Sequence, residues 1–68
     1  MGTIVTRENA VVVDGVSIGF VRRGRLNRWW HFEPFSSVGL PRDEARLRRE
    51  VVARAALAFR QVSTSGNQ

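Results

Sequence analysis

Sixty-eight residues without cysteine make one domain with a thin core, and they exclude disulfides and thiolate-bound metal. No apolar run approaches the roughly 20 residues of a membrane span, and MGTIVTRENA lacks the basic-then-apolar order of a signal peptide. A cytoplasmic protein with no membrane partner is expected. The formal net charge is +5, and all eleven basic residues are arginine, whose planar guanidinium stacks on aromatic rings and forks onto phosphates or carboxylates.

The chain opens with alternation of period two. Val11 and Val13 precede Asp14-Gly15, and Val16, Ile18 and Phe20 follow. Asp-Gly between alternating apolar residues predicts a hairpin, because the tight turn needs positive φ at both central positions. A two-residue loop pairs Val13 with Val16 and Val11 with Ile18. Val11, Val13, Val16, Ile18 and Phe20 then form one apolar surface, with Ser17, Gly19, Val21 and Arg23 on the other face. Thr3 to Arg7 extends the first strand up to a break at Glu8-Asn9.

Next comes RRGRLNRWW, residues 22–30, with four arginines, two tryptophans and no acid. Gly24 and Asn27 tolerate turn conformations, so a second hairpin returns Arg28 to Glu33 as a third strand. Adjacent tryptophans on a strand face opposite ways, so one joins the core with Phe32 and the other needs another explanation. Pro34 ends this strand, and a loop runs to Pro41.

From Arg42 the apolar period becomes 3.6, predicting a helix from about Arg42 to Val62. Pro41 suits its first turn, and Asp43 and Glu44 complement the helix dipole. Leu47, Val51, Val52, Ala55, Ala58, Phe59 and Val62 share one stripe. Arg48, at its edge, is expected to snorkel or to pair with Glu44. Residues 63–68 read as a flexible tail behind a single domain of residues 1–62. The expected fold is α+β, a small antiparallel three-stranded sheet (β-β-β-α) with one long C-terminal helix packed on one face. The other sheet face stays open, and function is expected there.

Catalytic inventory is thin. With one histidine, no cysteine and no tyrosine, the candidates reduce to His31, Glu33 and loop serines. These call for a concave, water-poor site that so small a sheet scarcely forms. His31 and Glu33 share a strand face and are expected to balance nearby arginines. The reading is a non-enzymatic protein without metal or cofactor, since clustered ligands and phosphate-loop glycines are both missing.

Charge is the stronger signal. Residues 22–28 carry four arginines and no acid, and residues 42–68 carry six arginines against three acids. A field of this sign draws nucleic acid or acidic protein surface. Arg22, Arg23, Arg25, Arg28, Trp29 and His31 form the first candidate binding set, arginines neutralising phosphates while an exposed tryptophan stacks on a base or enters a groove. A second face, Arg46, Arg49, Ala53, Leu57 and Arg60, is a candidate for partner docking or homodimer formation, with arginines as its polar rim.

GFVRRGRLNRWWHFEPF followed by EARLRREVVARAALAF, about half of the chain, resembles the small sheet-plus-helix DNA-contacting domains of phage integrase arms and plant AP2-type factors. Those families read DNA with the open sheet face, so the resemblance casts Arg23, Arg25, Arg28 and Trp29 as DNA contacts. In size and build the chain is also similar to phage- and mobile-element-encoded accessory proteins, anti-CRISPR proteins among them. That likeness implies an inhibitor or adaptor docking on an acidic surface of a host protein or nucleoprotein. DNA or RNA is the first expectation and a protein partner the alternative.

Overall fold

Asp14 and Gly15, at φ 51° and 84°, reverse the chain as the sequence predicts, and Val13 pairs with Val16 across them. The computed structural model describes residues 2–65. Its strands are β1 (Thr3–Val5), β2 (Ala10–Val13), β3 (Val16–Arg23), β4 (Trp30–Pro34) and β5 (Asp43–Ala45), followed by the helix α1 (Arg48–Ser65). One turn of 3-10 helix, Ser36–Val38, sits in the loop after β4. The sheet is an antiparallel meander of order β1-β2-β3-β4-β5. The α+β class stands, whereas the expectation of three strands is corrected to five.

The two extra strands have separate causes. Thr3 to Arg7 does not continue into β2. The Thr6 N–H donates to the Ala10 carbonyl at 3.0 Å, and the Ala10 N–H donates to the Thr6 hydroxyl at 3.1 Å. Asn9 takes φ 65°, a conformation its short polar side chain tolerates. The Glu8-Asn9 break is therefore a complete reversal, and β1 folds back on β2 with Ile4 opposite Val12. At the other end, Asp43 to Ala45 has a helical pattern but pairs with β4, Ala45 opposite Trp30 and Asp43 opposite Phe32. Pairing buries Ala45 and covers the edge of β4, a tertiary gain that outweighs weak local propensity. The helix consequently starts at Arg48 and not Arg42, with the Leu47 carbonyl accepting from the Glu50 and Val51 N–H groups. It runs past Val62 to Ser65; the remainder of the expected tail, residues 66–68, lies outside the described residues.

A β-bulge inverts the faces of β3. Val12 pairs with Ser17 but Val11 pairs with Gly19, leaving Ile18 as the extra residue. Ile18 and Gly19 are both buried, and beyond them parity flips. Val21, expected outside, is core; Phe20, expected in the core, stands on the open face at 41% exposed. Gly19 is needed there, because a Cβ at this position would run into the Glu33 carbonyl oxygen and lie 2.7 Å from the Pro34 Cα.

The core comprises Val11, Val13, Ile18, Val21, Phe32, Leu40, Ala45, Val51, Ala55 and Ala56. Val16, Leu47 and Val62, expected inside, are exposed, and Phe59 is only partly buried against the cluster. Val16 opens β3 and Leu47 precedes the helix, so neither sits within the sheet–helix contact. The helix sits chiefly over β4 and β5, and small Ala55 and Ala56 let it approach closely. Among the described residues no helix is long and apolar enough to cross a membrane.

Candidate nucleic-acid interface

In a sequential antiparallel meander, alternate connections fall at the same end of the sheet. The β1–β2 turn, the β3–β4 loop and the β5–α1 junction therefore share one end. Cross-strand pairs confirm the alignment: Arg23 lies opposite Trp30, and Trp30 opposite Ala45. The Arg48 guanidinium reaches the Asn9 side-chain oxygen at 3.4 Å, joining the helix start to the β1–β2 turn.

Eight of the eleven arginines stand on these connections and the residues flanking them: Arg7, Arg22, Arg23, Arg25, Arg28, Arg46, Arg48 and Arg49. Only Arg22 among them forms an ion pair with a described residue, Glu33 at 3.2 Å. Glu8 and Glu50 are the acids on the same connections. Of the other three, Arg54 forks onto Asp43 and Arg60 onto Asp14, while Arg42 forms no ion pair with a described residue. The Arg60 hydrogen bond holds the Asp14 carboxyl below its ordinary range and raises its own guanidinium in turn. Charge is balanced across the body of the molecule and unbalanced at one end.

The β3–β4 loop projects from that end with a defined shape. The Gly24 N–H donates to the Trp29 carbonyl at 2.7 Å, and the Trp29 N–H to the Asn27 side-chain oxygen at 3.0 Å. The loop folds so tightly that a Cβ on Gly24 would lie 2.7 Å from both the Asn27 Oδ1 and the His31 Nε2. Arg28 adopts φ 62°, the left-handed region that a long side chain seldom occupies. Leu26, at the tip, is 99% exposed, and Trp29, just before β4, is 38% exposed.

The tryptophans part as expected but not by strand alternation, because β4 begins at Trp30 and not at Arg28. Trp30 faces the helix, half-buried, with the Arg48 guanidinium 5.7 Å from its ring centroid. Arg48 thus rests on Trp30 and Asn9 and does not pair with Glu44, which meets His31 at 3.5 Å across the open face. Trp29 precedes β4 and belongs to the loop.

The open sheet face differs from the cationic reading surface that the sequence suggested. Ile4, Val12 and Phe20 form an apolar stripe there, extended by Phe35, whose ring meets Phe20 edge-on at 5.1 Å and 87°. Its charged and titratable side chains are already partnered, Arg22 with Glu33 and His31 with Glu44. Of the first candidate set, the structure gathers Arg23, Arg25, Arg28 and Trp29 at the basic end, and turns Arg22 and His31 onto the open face.

The second candidate face is divided as well. Arg49, Ala53 and Arg60 line a groove of about 670 Å³ between α1 and the edge strand β1, floored by Thr3, Val5, Val52 and Ala56. Leu57 lies exposed farther along the helix, and Arg60 is engaged with Asp14. Arg46 precedes the helix and joins the basic end. Sequence reasoning missed Arg7 and Leu26; the signal for Arg7 was the parity of the connections, legible only once β1 and β5 are counted as strands. Among the described residues no three histidine or acidic side chains lie close enough to hold a metal ion. Comparison with protein-family models, curated proteins and solved structures finds no match to this chain.

Proposed function

We propose that the protein is a non-enzymatic nucleic-acid-binding module that engages the phosphate backbone with its basic end. The observation that carries this reading is the convergence of three connections bearing arginines without acidic partners. Such groups lose little by meeting phosphate, because no intramolecular ion pair must first be broken, and their convergence concentrates the field. Arg23, Arg25, Arg28, Arg46 and Arg49 neutralise phosphates, and Trp29 offers an aromatic surface beside them. The interface moves from the sheet face to the end of the sheet.

The test is anisotropy of labelled single- and double-stranded oligonucleotides at about 50 and about 200 mM salt, where binding through several phosphates must weaken steeply. Arg25→Glu with Arg28→Glu is expected to abolish binding while leaving the circular dichroism spectrum and melt intact. Unchanged affinity in that double variant would remove the loop from the interface.

The groove beside β1 favours a second reading, a protein-binding inhibitor or adaptor. Its apolar floor, its rim of Arg48 and Arg49 and the unpaired outer edge of β1 suit an acidic extended segment adding as a sixth strand. Binding of that kind persists at salt that screens surface charge and is lost in Ala53→Glu.

A further inference from the structure

The β3–β4 loop carries an apolar side chain that its own fold does not use. Leu26 is 99% exposed, while the loop is held by the Gly24–Trp29 backbone bond, the Asn27 side chain and the left-handed backbone of Arg28. A polar residue would serve such a tip at least as well. An isolated exposed leucine is ordinary, but this one is bracketed by Arg25 and Arg28, neither ion-paired to a described residue. Leucine has no π-face for stacking on an unpaired base and no polar atom for reading a base edge. It is well suited to one task in nucleic acid, the wedging apart of adjacent base pairs in a duplex from the minor groove, where apolar side chains unstack a step and kink the helix.

Building on the nucleic-acid reading above, we infer that Leu26 is an intercalating wedge and that the protein bends duplex DNA. Arg25 and Arg28 take the phosphates on either side of the opened step, neutralising charge that the kink brings close to the loop. The two loop hydrogen bonds hold the tip in shape before contact, so little ordering entropy is lost on insertion. Flexible pyrimidine–purine steps are the preferred sites, because they unstack at least cost.

The experiment uses a short DNA duplex with a central TA step, carrying a donor and an acceptor dye at its two ends. Energy transfer and anisotropy are read together as the whole protein is titrated. The wild-type protein is expected to raise energy transfer on binding. Leu26→Ala is expected to keep the wild-type melting temperature and salt dependence, to bind several-fold more weakly, and to leave energy transfer at the value of free DNA. Wild-type binding without a change in energy transfer, or bending by Leu26→Ala equal to wild type, would overturn the wedge while leaving nucleic-acid binding intact. Stronger binding to single strands than to duplex would also overturn it. If duplex and single strands both fail to bind, the nucleic-acid reading itself falls. A tryptophan fluorescence shift with phosphatidylserine vesicles, lost in Leu26→Ala and seen without duplex binding, would reassign the tip to a lipid surface.

Discussion

Three described residues other than glycine have positive φ, namely Asn9, Asp14 and Arg28. Asn and Asp accept this backbone through local hydrogen bonds, whereas a longer side chain is strained by about 1–2 kcal/mol. Arg28 bears that strain in the loop where the arginine density is highest, and strained backbone tends to persist where the side chain is used. Glycine would relieve the strain but lose more entropy on folding, so Arg28→Gly is expected to raise stability by about 0.5–1 kcal/mol in urea melts. The same variant is expected to weaken nucleic-acid binding and to lower the salt slope by about one phosphate contact. A destabilised variant would mean that the arginine side chain props the loop. Gly19 shows the opposite logic. Its backbone needs no positive φ, yet only the smallest residue allows β4 to lie so close beside it.

At the scale of elements, the helix is fastened to the sheet by arginines as well as by its apolar face. Arg54 clamps β5 through both Asp43 oxygens and the Glu44 carbonyl. Farther along, Arg60 grips the β2–β3 turn through both oxygens of Asp14 at 3.1 Å. That hydrogen bond lowers the folded-state pKa of Asp14. The pair therefore contributes fully above the carboxylate's unfolded pKa, and its contribution is lost as pH falls through the lower folded value. In Arg60→Gln the Asp14 titration, followed by carboxyl NMR, is expected to rise toward the ordinary aspartate range. The stability difference between the two proteins should shrink toward zero as acid protonates Asp14. An unchanged titration would show that the fork does not persist in solution. Both partners are partly exposed and solvent screens the pair, so the effect on total stability is small.

For the whole molecule, topology decides where charge accumulates. An odd connection in this meander falls at the basic end and an even one at the other, so arginines far apart in sequence share one surface. Arg42 is the control. It precedes β5, so it lies about 13 Å along the strand from Arg46, beyond the screening length of about 8 Å at physiological salt. Arg46→Glu is expected to weaken oligonucleotide binding by at least about tenfold near 100 mM salt, and Arg42→Glu by less than about twofold. Equal losses from both, measured by anisotropy, would show that overall net charge governs binding and that the basic end is no site.

The Asp-Gly hairpin, the buried Phe32, the Val51–Ala55 face of the helix and the arginine-rich turn were all legible in the sequence. Each depends on local backbone preference or on spacing within one element. Asp14 and Gly15 carry their turn conformation with them, and helical periodicity needs no distant partner. The bulge at Ile18, the pairing of Asp43–Ala45 with β4 and the return of β1 were not legible, because each is settled by contact with a strand elsewhere in the chain. One inserted residue moved Phe20 outward and Val21 inward. One additional edge pairing converted the start of an expected helix into a strand. Composition alone set how much positive charge the protein carries. Only the order and parity of the strands decided that most of it stands at one end, with Leu26 at the tip of the loop that projects from it.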